Sequence, residues 1–185
     1  MHRIARLTTI LALLPFASAV GLADARAVAP TPAPFSLGAT DYNFVAQANL
    51  GAPFQVVSGR LAEKKAGAAA VRDYAHLMVV THIPVVDALK TILQRKGIDA
   101  PANTLLHGAY VAMISTLKAD RGVAFDRDYV DGQVNYQKGN AALFQDEIQN
   151  GNDPDLKEFS RQTLPKIEDH LARALRLAKG NSASN

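Results

Sequence analysis

Three observations predict an all-α fold. Apolar residues recur at spacings of three and four along the chain after residue 40, strand-like alternation is almost absent, and Gly, Pro and Asp punctuate the pattern at helix-length intervals. The punctuation divides the chain into two long helices, a connection from Ile98 to Phe125, and two more long helices.

The N-terminal stretch stands apart from this pattern. MHRIARLTTILALLPFASAVGLADARA sets Arg3 and Arg6 before an apolar run from Leu7 to Leu22, with small residues after it, the layout of a secretory signal peptide. The run falls short of the roughly 20 residues of a membrane span. Ala17-Ser18-Ala19, Ala23-Asp24-Ala25 and Ala25-Arg26-Ala27 are alternative cleavage motifs, and residues 1–25 are taken as the signal. Residues 26–40 then carry Pro30, Pro32 and Pro34 without helical period and read as a Pro-rich tether. No second apolar run is read after the signal, so the expected location is the periplasm, with any membrane association peripheral. Cleavage after Ala25 removes two positive charges and one negative, which lowers the formal charge from +3 to +2. The remaining charges are dispersed and form no basic stripe of the kind nucleic-acid binding needs. The chain has no Cys, which excludes disulfides, thiolate metal sites, a Cys nucleophile and a c-type haem attachment motif. The mature length of about 160 residues is enough to bury roughly two thirds of the chain's surface.

The domain is expected over residues 41–179. Asp41 is a candidate cap for a first helix beginning DYNFVAQANL, which Gly51 and Pro53 are expected to break before it resumes to about Ala66. In the second helix Val71, Ala75, Met78, His82, Val85, Leu89 and Ile92 share one face, and Gly97 follows Arg95 and Lys96 as a C-terminal stop. Asn103 is a candidate cap for a short helix, TLLHGAYVAMISTLK, inside the middle connection. Asp126 is expected to start the next long helix, with Val130, Val134, Gln137, Ala141, Phe144 and Ile148 along one side and Gly151 at its end. Asp153-Pro154 is an N-cap followed by Pro in the first turn, and residues 180–185 are expected to fray. Short loops make antiparallel neighbours, and the long connection can return the chain to the opposite end. The predicted architecture is therefore a ferritin-like four-helix bundle with a long middle crossover carrying a short extra helix; a simple up-down bundle is the competing topology.

Four polar residues fall on or beside the apolar stripes: Gln55, His82, Gln137 and His170. A di-metal site in such a bundle needs a Glu from each of two helices and Glu-x-x-His from each of the others. Here Val79 and Ile167 stand three residues before the histidines, and the other two positions are neutral amides. Amide oxygens are poor replacements for the water shell of a divalent cation. The expected role is a structural polar layer, with no metal and no catalytic residue; a metal site is the alternative. Pro84 and Pro165 leave the carbonyls of Val80 and Arg161 without helical donors, which implies either kinks beside the two histidines or smooth curvature. Gly132 and Gly139 share a helix face and suggest close packing by a neighbouring helix or by another subunit. His76 and His107 read as surface residues, and Ser58 and Ser160 lie within helices without a nucleophile-elbow context.

The order and spacing of FVAQAN at 44–49, GRLA at 59–62, the run from Tyr74 to His82, FDRDYV at 125–130 and LKEFSRQTLPKIEDHL at 156–171 resemble a bacterial family of exported ferritin-like proteins, domain of unknown function 4142. Members of that family commonly have an acidic residue at Gln55, Asp-His at Thr81-His82 and His at Gln137. The resemblance therefore implies a chain that has lost part of an inward polar set. In export signal, size, helical content and lack of Cys it also resembles the small cofactor-free accessory subunits of periplasmic quinohaemoprotein alcohol dehydrogenases of acetic acid bacteria. That resemblance implies a non-catalytic subunit that binds no cofactor itself and supports assembly or stability. Its larger redox partners would carry pyrroloquinoline quinone and haem c at the outer face of the cytoplasmic membrane. A free-standing periplasmic metal-binding or stress-protection protein is the alternative.

Overall fold

The computed structural model describes residues 36–100 and 104–183. The expected signal at 1–25, the expected tether over 26–35 and the candidate cap Asn103 lie outside the described residues. Five helices follow: α1 (Ala39–Lys65), α2 (Ala69–Lys96), α3 (Thr104–Ala119), α4 (Gly122–Asn150) and α5 (Pro154–Ala183). α1 pairs with α2 and α4 with α5, while α1 also meets α4 and α2 meets α5, which closes a four-helix ring.

The polarity of the ring follows from its end contacts. Asp41, at the start of α1, accepts the Asn152 and Asp153 amides at the α4–α5 turn, both at 2.9 Å. Lys96, at the end of α2, bridges Asp153 at 2.9 Å and Asp155 at 2.8 Å. One end of the bundle therefore holds the α1 and α5 N-termini with the α2 and α4 C-termini. The chain must travel back to the other end between α2 and α4, and α3 makes that journey. It finishes beside the α1 C-terminus, where Lys65 Nζ donates to the Leu117 and Lys118 carbonyls at 2.7 and 2.6 Å. This up-down-down-up order is the ferritin-like topology, and it excludes the simple up-down alternative.

Several boundaries differ from the sequence expectation. α1 is not broken at Gly51 and Pro53 but runs unbroken through both. Pro53 lies on the exposed side, where the carbonyl that it leaves unbonded can reach water. Gly51 is buried, and the Tyr136 hydroxyl lies 2.6 Å from where its Cβ would stand, so this glycine serves a close helix approach. α4 starts at Gly122, not at Asp126, and α5 continues to Ala183 where fraying was expected from residue 180. α2 ends as expected at Gly97, which takes the left-handed conformation at φ 64°. By length and composition α2 would also suffice for a membrane span, with a mean hydropathy of 1.3 over its most apolar window, so a second apolar stretch does follow the expected signal. In the structure Tyr74, Met78 and His82 turn its inner face into the bundle.

Asp153 caps its own helix as expected, accepting the Asp155 amide at 3.0 Å and the Leu156 amide at 3.1 Å, whereas Asp41 and Asp126 serve helices other than their own. Asp126 accepts the Gly67 amide at 2.9 Å and the Ala68 amide at 2.7 Å, closing the N-terminus of α2 from α4. Charge-assisted bonds to amide groups that have no helical partner are among the stronger ones. Replacing Asp126 with Ala is expected to cost about 2 kcal/mol, read as a lower urea midpoint at unchanged slope; an unchanged midpoint would remove the cap from the stability account.

The core divides into two apolar clusters. One contains Phe44, Leu89, Phe144, Leu156 and Ile167; the other contains Ala62, Met78, Phe125, Tyr129 and Ala174. On each ring helix the segment between the clusters carries one of the four polar residues: Gln55 on α1, His82 on α2, Gln137 on α4 and His170 on α5.

Candidate functional site: a histidine pair between two apolar clusters

All four are buried: Gln55 and Gln137 at 0% exposure, His82 and His170 at 4%. The imidazoles face each other with ring centroids 5.3 Å apart and planes tilted by 34°. Gln137 donates to Met78 Sδ at 3.4 Å, which places it one turn of α2 from His82. A Cβ on Gly59 would touch Val79 and Met78, so Gln55, one turn earlier on the antiparallel α1, stands level with His82.

Backbone and hydroxyl partners set the tautomers of both rings. His82 Nδ1 lies 2.9 Å from the Met78 carbonyl, which can only accept, so this nitrogen carries the proton. Thr81 gives its own proton to the Leu77 carbonyl at 2.6 Å and therefore acts as acceptor towards His170 Nε2 at 3.3 Å. His170 Nδ1 is then the unprotonated nitrogen, and no donor reaches it among the described residues. His82 is left with an unprotonated Nε2. Tyr74 donates to the His170 carbonyl at 3.3 Å and ties α2 to α5 at the same level.

Burial lowers the His82 pKa to about 4, with the Met78 carbonyl opposing the shift. Burial also lowers His170 to about 4, and the proximity of His82 adds to the effect. Both rings are neutral at pH 7. Asp169, the neighbour of His170 in sequence, is exposed and pairs with Arg173 at 2.7 Å. Among the described residues no three His, Asp or Glu side chains gather at metal-ligand spacing. A cation held here would have two imidazole lone pairs and neutral amide oxygens as ligands. The Gln55 amide and Gln137 Oε1 have no partner in the described structure, and a cavity of about 10 Å³ beside His82 and Thr163 has room for about one water.

The other singled-out residues divide. His76 is exposed and pairs with Glu63 at 2.7 Å, and His107 is exposed. Ser58 donates to the Gln55 carbonyl at 3.3 Å. Pro84 and Pro165 lie on exposed sides of unbroken α2 and α5. Gly132 meets Met113 of α3, which would collide with a Cβ there, whereas Gly139 faces open space. Close packing therefore holds for Gly132 and not for Gly139: only the former lies beneath the α3 side chain.

Sequence reasoning missed two contributors. Thr81 orients His170, and its signal was its position beside His82. Glu147 is fully buried at the α1 N-terminal end of the bundle, next to Asp41; its signal was a place on the α4 stripe one residue before Ile148. When ionised, neither Glu147 oxygen has a donor. Burial, then the Asp41 charge and a hydrogen bond to Asp41, push its pKa up to about 8. At neutral pH it is a protonated acid donating to Asp41. Burial opposes ionisation of Asp41, but the Asp153 and Asn152 amides, with Glu147, hold its carboxyl below the usual range.

The fold and this centre define a ferritin-like helical bundle whose interior carries a neutral histidine and amide layer in place of a carboxylate cage. The chain belongs to the family described as domain of unknown function (DUF4142), which matches residues 26–177. It is similar in structure to a Streptomyces coelicolor DUF305 chain described as a secreted protein, with a TM-score of 0.65 and 12% identity over 77% of this chain and 94% of that one. No curated protein matches it.

Proposed function

We propose that the chain is a non-catalytic exported accessory subunit that supports assembly or stability of a periplasmic, membrane-associated dehydrogenase complex. The observation that carries this reading is the centre of the bundle. Its two imidazoles are neutral, held by backbone and Thr81, and level with amides, so it offers packing and register rather than acid-base chemistry at neutral pH. The outer surface adds support. Val57 and Val111 are 53% and 55% exposed along an apolar groove between α1 and α3, the type of patch that a protein partner covers. Export is supported by the N-terminal sequence and by the secreted DUF305 neighbour. The choice of complex, a quinohaemoprotein alcohol dehydrogenase with pyrroloquinoline quinone and haem c on its larger subunits, rests on likeness in size, helical content and lack of Cys.

Affinity purification of the tagged chain from its native membrane in mild detergent is expected to recover larger redox subunits carrying those cofactors. Recovery of monomer alone would overturn the reading. One observation favours the alternative, a free-standing metal-binding protein: His82 Nε2 and His170 Nδ1 are unprotonated nitrogens on facing rings. Stoichiometric copper, iron or zinc that disappears in His82→Ala plus His170→Ala would establish it instead.

A further inference from the structure

On the outer side of the bundle, α3 does not close fully onto α1 and α4. A cleft of about 350 Å³ remains between them, at the lower end of the range for small-molecule sites, about 300–1,000 Å³. Its wall is aromatic. Phe54 stacks on Tyr110 with centroids 4.3 Å apart and planes 12° from parallel, and Tyr136 lies 5.8 Å from Phe54 and 6.3 Å from Tyr110. Its hydrogen-bonding groups include the side-chain amides of Gln47, Asn135 and Asn140, and none of the residues lining it carries a charge. Burial raises the Tyr110 pKa to about 12 and that of Tyr136 well above its usual value, so both phenols stay neutral. Gly139 keeps the cleft open: Met113 fills the space over Gly132, but nothing lies within 4 Å of the point where a Gly139 Cβ would stand.

These features select a ligand chemistry. A charged molecule would lose hydration without meeting a counter-charge. A flat uncharged ring can pack on the aromatic wall, and a polar substituent can bond to the amides at the mouth. We propose that the cleft between α1, α3 and α4 binds a small uncharged aromatic or heteroaromatic molecule that carries a hydrogen-bonding substituent. The cleft lies outside the histidine layer, sharing Tyr136 and Asn140 with the small cavity beside His82, and the proposal does not depend on the accessory-subunit reading.

The test is an NMR titration of the isotopically labelled full chain with three probes: nicotinamide, its anionic analogue benzoate, and glucose. Nicotinamide is expected to give saturable shifts at Tyr110, Tyr136, Gly139 and Asn140, with benzoate and glucose at least tenfold weaker. Gly139→Leu places a side chain in the opening and is expected to weaken nicotinamide at least tenfold. Leu is also a better helix former than Gly, so the variant should keep or raise its Tm. Shifts confined to other surfaces, equal binding of benzoate or glucose, or a folded Gly139→Leu chain that binds nicotinamide as the parent does would each overturn the proposal. The probe comparison and the shift map on the parent chain decide the matter even if Gly139→Leu fails to fold.

Discussion

Glu147→Gln is expected to stabilise the protein above neutral pH and to remove most of the alkaline decline of its stability curve. Glu147 titrates at about 8 in the folded state against an ordinary value of 4.5. Between those values the folded chain holds a proton that the unfolded chain has released. Stability from this group is fully present below about 4.5 and is lost as pH rises to about 8, by roughly 1 kcal/mol per pH unit. Gln keeps the size and the donor towards Asp41 but cannot ionise. The check is the urea midpoint from pH 5 to 9 for both chains: parallel curves for parent and variant would show that Glu147 ionises freely in the folded state.

The histidine pair is expected to impose the opposite slope on the acid side. Each imidazole binds a proton at about 6.5 when unfolded but only at about 4 when folded. Between these values the unfolded state holds more protons, so stability falls as pH drops from 6.5 to 4, by roughly 1 kcal/mol per pH unit for each ring. Asp41, with a lowered carboxyl pKa, adds a loss in the same direction at lower pH, so the informative quantity is the difference between parent and variant. His82→Leu plus His170→Leu should remove the rise between pH 4 and 6.5 whatever its absolute stability, leaving above about pH 4.5 the decline with rising pH that Glu147 imposes. If the acid limb survives unchanged in that variant, the imidazoles are not the groups that resist protonation. Together the two titrations place the stability maximum of the parent chain near pH 6.5.

The opposing slopes also show which features of the site were legible in the sequence. His82 and His170 lie on apolar stripes, so burial of the pair, and with it the resistance to protonation, could be read from spacing alone. The tautomers could not. They depend on the Met78 carbonyl, which lies one turn back on the same helix, and on Thr81, which reaches His170 only because α2 and α5 run side by side in opposite directions. Glu147 escaped notice because a Glu near a helix end normally reaches solvent. Here the turn at Gly151 and the start of α1 close over it. The break expected at Gly51 and Pro53 failed for a related reason, since local propensity marks a weak helix but tertiary packing on Tyr136 and the two apolar clusters holds it together.

By itself the sequence determined that four long helices form, nearly where each of them ends, and which polar side chain each carries between its apolar segments. All of these follow from periodicity and from residues that start or stop a helix within a few positions. Only the tertiary structure decided what each polar group meets: Asp41 and Asp126 cap helices other than their own, Glu147 shares a proton with Asp41, and α3 leaves an open cleft above Gly139. Those outcomes depend on the rotation and height of one helix against another. Side chains far apart in the chain settle that geometry together, and local spacing carries no record of it.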